Sequence, residues 1–263
     1  MKEAYLNKIY YRKTEIIPNR ETLVLLHGIC SSASAWKFIE DRLKDKYNLI
    51  IPDLRGNGKS IRPRKQKDYS WSLIAADVYK ILNKEKIKKC TFIGSSSGNH
   101  VTFEFAKRYQ KKLKSIIFLN PYHKPSERLD MNLYRKISYI WRLFDFLPNK
   151  KYGKHIDYTK YDRESDTNPR RIAIDTLNTG FKSLGNTNHF YLTYDSTNLL
   201  SKIKVPCLII HCEHDSLSPL SSSEFINKKI KKSKLIKFKG ANHMILLNNY
   251  NFLTKQIRNF IPS

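Results

Sequence analysis

Cys90-Thr91-Phe92-Ile93-Gly94-Ser95-Ser96-Ser97-Gly98-Asn99-His100-Val101-Thr102-Phe103-Glu104-Phe105-Ala106-Lys107 is the stretch that decides the fold. Its first four residues form a short apolar run, as a strand buried on both faces should. From Asn99 onward the apolar residues recur at helical spacing. Between the two lies Gly-x-Ser-x-Gly. With a strand before it and a helix after it, that motif marks a sharp turn presenting a serine hydroxyl. The glycines have a steric reason, because a Cβ at either position would strike neighbouring backbone. The following helix aims its first N–H groups at the same spot, which favours developing negative charge. Ser96 is therefore the candidate nucleophile. The motif alone arises readily in glycine- and serine-rich loops, so its weight comes from its flanks and its partners downstream.

Upstream, residues 3–12 read as one or two edge strands. Thr22-Leu23-Val24-Leu25-Leu26-His27 is a second continuous apolar run, ending in the turn Gly28-Ile29-Cys30-Ser31-Ser32. A helix follows over Ala35–Leu43, then a strand over Tyr47–Asp53, a glycine loop at Leu54–Ser60 and a helix around Ser70–Leu82. Beyond the central stretch, Ser115–Asn120 is another strand. Such alternation predicts a doubly wound, mostly parallel α/β sheet with helices on both faces.

At Pro121 the rhythm breaks. Residues 121–200 contain no buried-strand run, and Leu129–Leu147 carries an apolar stripe at helical spacing. Further helices are expected over roughly residues 168–183 and 187–200. The alternation resumes with a strand at Val205–His211, a helix at Ser221–Lys231, a strand at Lys234–Phe238 and a closing helix at Asn249–Phe260. The expected organisation is a core of residues 1–120 and 201–263, with 121–200 an inserted all-helical cap over the strands' carboxyl ends, where open α/β sheets place their sites.

Composition sets the class. A chain of 263 residues, 40% hydrophobic and 27% charged, has the make-up of a globular protein with a full core. Met1–Lys8 lacks the apolar centre of a signal peptide, and no stretch is long and apolar enough to span a bilayer. Cys30, Cys90, Cys207 and Cys212 include no CxxC pair and read as free thiols of a reducing, cytoplasmic compartment. The formal charge is +26. Residues 121–200 hold 13 Lys+Arg against 9 Asp+Glu, which leaves 36 against 14 for the remainder. The excess thus falls on outer helices and loops, where it would not steer a substrate. It reads as a lysine-rich solvated surface, with no nucleic-acid motif and at most a weak attraction to anionic surfaces.

A serine hydroxyl needs a base, and the base needs an orienting acid. Two candidates stand at strand ends on the side of the insertion: Asp215 in Glu213-His214-Asp215-Ser216-Leu217-Ser218-Pro219, and His243 in Lys239-Gly240-Ala241-Asn242-His243-Met244. With these in hand, the chain resembles the α/β-hydrolase superfamily over essentially its whole length. Four signatures carry the resemblance. They are His27-Gly28 after a strand, Asp53-x-Arg55-Gly56-x-Gly58-x-Ser60, the turn Gly94–Gly98, and Asp215 with Pro219 followed by Gly240-x-Asn242-His243. The branch it is similar to comprises the serine-nucleophile esterases, lipases and carbon–carbon hydrolases with a helical cap.

The resemblance implies roles. Ser96 would attack a carbonyl carbon, His243 would take and return the proton, and Asp215 would fix the imidazole tautomer. The backbone N–H groups of Ile29 and Ser97 would hold the oxyanion. Ester cleavage through an acyl-enzyme, needing no cofactor, is the expected reaction. The same three residues also serve carbon–carbon hydrolases, lactonases, aminopeptidases and acyltransferases, and the fold also serves non-catalytic receptors. The expected partner is a small molecule with an apolar acyl or alcohol part. Tyr122, Tyr139, Trp141, Phe144, Phe181, Phe190 and Tyr191 are candidates to line its pocket, although most such aromatic residues simply pack the insertion.

The sequence departs from the family pattern in two places. His211-Cys212-Glu213-His214 stands where the acid strand usually ends in glycine, and the turn has Ser95 and Ser97 where bulkier residues are more usual and Asn99 where another small residue is. Successive residues at a strand end face opposite ways, so the first of these is not expected to bind a metal. His27 reads as a structural histidine, and Asp53 and Arg55 as braces for their loop. His100, His123, His155 and His189 have no supporting pattern.

Overall fold

In the computed structural model of the chain, residues 1–125, 151–161 and 165–261 are described. Eight strands form one sheet: β1 (Lys2–Leu6), β2 (Ile9–Lys13), β3 (Thr22–Leu26), β4 (Asn48–Pro52), β5 (Cys90–Ser95), β6 (Leu113–Leu119), β7 (Cys207–Cys212) and β8 (Ser233–Phe238). Their spatial order is β1-β2-β4-β3-β5-β6-β7-β8. The first two strands run antiparallel to their neighbours, whereas β3 to β8 are all parallel.

The central strands alternate between two cores, as the period of two requires. Val24, Leu26, Phe92, Ile116, Phe118 and Ile209 point to one face, packed with α2 (Trp71–Lys84), α3 (Gly98–Tyr109) and Ile226 of a later helix. Leu23, Leu25, Ile93, Ile117, Leu119, Leu208 and Ile210 point to the other, against α1 (Lys37–Leu43) and the closing helix. All are essentially inaccessible to water. Each such side chain contributes about 1.5–3 kcal/mol on burial, so both faces must be covered.

Between β6 and β7 the described residues form helices α4 (Pro169–Thr179), α5 (Phe181–Thr193) and α6 (Thr197–Leu200), with a short 3-10 turn at Tyr158–Lys160. The expected boundary near residue 185 falls elsewhere. Asn168 caps α4 by accepting from the Arg171 N–H at 3.1 Å with Pro169 at the first position, and Gly180, at φ 82°, ends it. The next helix then runs unbroken through Asn186-Thr187. The expected helix at 129–147 lies outside the described residues. The chain closes with α7 (Leu220–Lys229), α8 (Ile245–Asn248) and α9 (Tyr250–Phe260).

The order places a switch point between β3 and β5. From β3 the chain passes through α1 to β4 on one side, and from β4 through α2 to β5 on the other. A crevice opens at the carboxyl ends where the winding reverses. Gly28 follows β3 and Ser96 follows β5, so the two face each other there.

Candidate active site

Ser96 has φ 52°, a left-handed conformation that a residue with a Cβ rarely adopts. The surrounding glycines account for it. A Cβ on Gly98 would lie 2.5 Å from the Leu26 carbonyl oxygen and 2.7 Å from that of His27. One on Gly94 would lie 2.6 Å from Asn99 Oδ1 and 2.8 Å from Thr102 Oγ1. The turn is therefore wedged against β3 on one side and its own helix on the other. The Ser96 N–H donates to the Leu119 carbonyl at 3.0 Å, which ties the serine to the end of β6.

His243 and Asp215 come together. The Asp215 side chain is fully buried, and its Oδ2 accepts from His243 Nδ1 at 2.7 Å. Its Oδ1 accepts the N–H groups of Leu217 and Ser218, both at 2.8 Å. The second oxygen thus goes into shaping its own loop. With the Nδ1 proton given to a carboxylate, Nε2 of the neutral ring carries the lone pair a base requires. Among the described residues no hydrogen bond joins His243 to the Ser96 hydroxyl.

Asn120 binds these loops together, and the sequence reading passed it over. Its Oδ1 accepts the Cys212 N–H at 2.8 Å, its Nδ2 donates to the His243 carbonyl at 3.3 Å, and its own carbonyl accepts from Ser218 Oγ at 3.3 Å. It sits at φ 46°, directly after the Leu119 whose carbonyl holds Ser96. The legible signal was an asparagine ending a buried strand, since Asn enters the left-handed region more readily than most residues.

The candidate oxyanion donors are placed by His27. Leu54 N–H donates to His27 Nε2 at 2.9 Å, so the ring proton is on Nδ1 and goes to the Gly28 carbonyl at 2.7 Å. Burial holds His27 below its ordinary pKa and keeps it in this singly protonated form. In a trans peptide the carbonyl and the following N–H point opposite ways, so pinning Gly28 O turns the Ile29 N–H away from His27. Gly28 itself lies against the serine, and a Cβ there would be 3.1 Å from Ser96 Cβ and 3.6 Å from Ser96 Oγ. Among the described residues neither the Ile29 nor the Ser97 N–H has a hydrogen-bond partner.

Asp53 braces the neighbouring loop. Its Oδ1 accepts the Ala33 N–H and its Oδ2 the Lys59 N–H, both at 2.7 Å, and His155 Nε2 donates to Oδ2 at 2.7 Å. Arg55 forks onto Asp77 with two bonds of 2.8 Å. His155, in the segment between β6 and β7, thus has a partner that the sequence did not reveal. Asp166 in the same segment grips the acid loop, its Oδ2 accepting both the Ser216 N–H and the Ser216 hydroxyl at 2.9 Å. His211 Nδ1 contacts Ser223 Oγ at 2.8 Å, and His123 Nδ1 contacts Ser222 Oγ at 2.7 Å.

Of the candidate pocket residues, Tyr122 lies in an aromatic cluster around His100, whose ring centroid is 4.9 Å from that of Tyr122, 5.0 Å from Tyr194, 5.2 Å from Trp71 and 5.7 Å from Tyr191. Burial raises the Tyr191 phenol above its ordinary pKa, a hydrogen bond with Tyr122 opposes this, and the charge of Asp215 adds to it. Phe190 packs beside it, its carbonyl accepting from Trp71 Nε1 at 3.2 Å. Phe181 is half-buried at the start of α5. Tyr139, Trp141 and Phe144 lie outside the described residues.

A doubly wound sheet with a strained serine, a histidine–carboxylate pair and unpaired N–H groups at its switch point defines a class of protein. The chain belongs to the alpha/beta hydrolase fold family, whose model matches residues 21–250, and it is an alpha/beta hydrolase. Among solved structures it is similar to MGS-M2, an alpha/beta hydrolase enzyme from a Medee basin deep-sea metagenome library. That likeness has a TM-score of 0.79 at 19% identity and covers 98% of this chain and 96% of the other. It is 25% identical to a proline iminopeptidase of Thermoplasma volcanium, over 96% of this chain and 92% of the relative. An uncharacterized protein of Mycobacterium tuberculosis is 29% identical over 111 residues, which is 42% of this chain and 32% of that protein. The match therefore spans about a third of that relative's length. No described helix is long and apolar enough to cross a membrane.

Proposed function

We propose that the chain is a serine hydrolase that cleaves an ester-type bond in a small molecule with an apolar part, through an acyl-enzyme. The carrying observation is the 2.7 Å bond from His243 Nδ1 to a fully buried Asp215, on a loop that Asn120 ties to the strand end holding Ser96. In this reading His243 Nε2 removes the Ser96 proton as Oγ attacks the acyl carbon. The carbonyl oxygen becomes an oxyanion between the Ile29 and Ser97 N–H groups, a role supported by their having no hydrogen-bond partner among the described residues. His243 then returns the proton to the leaving alcohol, and water repeats the cycle on the acyl-enzyme. In this reading the serine–histidine hydrogen bond forms when substrate binds and excludes water, since catalytic hydrogen bonds are often long or unformed without it.

We read residues 121–200 as a helical cap on a core of 1–120 and 201–263. The contacts of His155 with Asp53, and of Asp166 with Ser216, support the cap by fastening it to the rim of the crevice. The cluster of Tyr122, Tyr191, Tyr194 and Trp71 around His100 supports an apolar partner. The test is turnover of short- and medium-chain p-nitrophenyl esters by the chain and by Ser96→Ala. The expected loss is at least 10³-fold in kcat, and equal turnover by both proteins would sink the proposal.

A further inference from the structure

The +26 charge has an address in the fold. Strands β5, β6, β7 and β8 are adjacent and parallel, so the segments entering them all lie on the face opposite the candidate site. Those segments, 85–89, 110–114, 201–206 and 230–232, carry ten lysines and one acid: Lys86, Lys88 and Lys89; Lys111, Lys112 and Lys114; Lys202 and Lys204; Lys231 and Lys232; and Glu85. The segments leaving the same four strands, 96–97, 120–125, 213–219 and 239–244, carry two lysines and two acids. Charge of this kind is concentrated at one end of the sheet.

The entry segments touch one another. Gln110 Nε2 donates to the Lys202 carbonyl at 3.1 Å, the Lys204 N–H donates to Gln110 Oε1 at 2.6 Å, and the Cys207 N–H donates to the Lys232 carbonyl at 2.8 Å. Lys112 Nζ reaches the Ile87 carbonyl at 2.7 Å. Neighbouring strands lie about 4.8 Å apart, so the lysines of one segment stand within a Debye length of the next. Little neutralises them. Glu85 is taken by Lys13 and Tyr11, and Glu21 by Lys114 and Thr91. Lys86, Lys88, Lys89, Lys111, Lys202, Lys231 and Lys232 are exposed and have no ion pair among the described residues. Helix-dipole complementation accounts for few of them, since all but Lys111, in the 3-10 turn Gln110–Lys112, lie beyond the helices' last turns.

We infer that this face is a docking surface for an anionic lipid bilayer, which the protein binds from the side with its candidate site turned towards water. The chemistry of the patch favours a membrane over a nucleic acid. All ten cations are lysines, compact point charges without the guanidinium fork that reads phosphates and bases in pairs. Single-stranded nucleic acids are held on exposed aromatic platforms, but none of the exposed large apolar side chains falls in these four segments. Tyr109, at the end of α3, is stacked on Tyr79 at 4.0 Å and is not free to receive a base. A row of strand entries is also blunt, with no element to enter a groove. A planar anionic surface needs only many flexible cations on one side.

The test is co-sedimentation of the full chain with phosphatidylcholine vesicles, with or without 30% phosphatidylglycerol, in 50 and 500 mM KCl. Each lysine near such a surface is worth about 1 kcal/mol, or roughly fivefold in partitioning. The quadruple variant Lys88→Gln, Lys111→Gln, Lys202→Gln, Lys231→Gln should therefore lose binding by roughly 600-fold, about fivefold for each of its four lysines. Lys65→Gln, Lys67→Gln, Lys154→Gln, Lys239→Gln, with the same net charge but changed elsewhere, should lose far less. Wild-type binding should require the anionic lipid and disappear at high salt, an arm that needs no variant to fold. Equal losses in the two variants would overturn the inference, as would binding to neutral vesicles. So would retention on duplex DNA at a salt concentration where vesicles no longer hold the protein.

Discussion

Replacing His100 by phenylalanine should protect the fold against acid. The His100 ring is fully buried among aromatic rings, and neither nitrogen has a hydrogen bond of ordinary geometry among the described residues. Burial pushes its pKa down to about 3, from about 6.5 in the open chain. Between those values the unfolded chain binds a proton that the folded chain refuses, so stability is complete above pH 6.5 and is lost as pH falls towards 3. At pH 5 the loss works out to about 2 kcal/mol relative to pH 7.5, from about 1.4 kcal/mol per unit over the 1.5 units below the open-chain value. Phenylalanine cannot titrate, and a similar planar ring suits the cage of Trp71, Tyr122 and Tyr194. Urea unfolding of both proteins at pH 7.5 and pH 5.0 gives a difference of differences. His27, His123 and His211, also depressed by burial, are common to both proteins and cancel. The variant should lose about 2 kcal/mol less than the parent on acidification. Identical losses would show that the ring is already hydrated or paired in the folded state, and would refute the reasoning.

Removing the grip on the acid loop should slow turnover more than it weakens binding. Asp166→Ala should lower kcat roughly tenfold with KM little changed, the equivalent of one charge-assisted hydrogen bond, and Asp166→Asn should recover part of it. Steady-state kinetics on the best ester decides, and a pure KM effect would contradict the positioning role. The three buried thiols should be silent in the native protein. Burial pushes Cys207 and Cys212 up to about 12 and Cys90 higher still, so Ellman's reagent at pH 8 should find none of these three until denaturant is added, whereas Cys30 is partly exposed.

The sheet was legible because its strands are buried on both faces and so appear as unbroken apolar runs, as in Leu23–Leu26 and Ile116–Leu119. Ser96 was legible because steric demand leaves glycine at 94 and 98 and nothing else. Asp215 and His243 could be named from their places after strands, but their 2.7 Å contact depends on β7 and β8 being neighbours, which no local pattern encodes. Asn120, His155 and Asp166 escaped for a related reason. Each is an ordinary polar residue whose partner lies far along the chain, at Cys212, Asp53 and Ser216. The break at Gly180 was missed because helical spacing continues across it, and only the glycine's positive φ ends the helix. The lysines before β5 to β8 looked scattered in sequence, and the parallel topology gathers them on one face.

The claim on which the rest depends is that the hydroxyl at the turn after β5 is the reacting group. Treatment with a fluorophosphonate probe, digestion and mass mapping tests it most directly. The account predicts a single adduct on the peptide containing Ser96, absent in Ser96→Ala and strongly reduced in His243→Ala. An adduct on Ser95 or Ser97, or labelling that persists without the His243 imidazole, would contradict it.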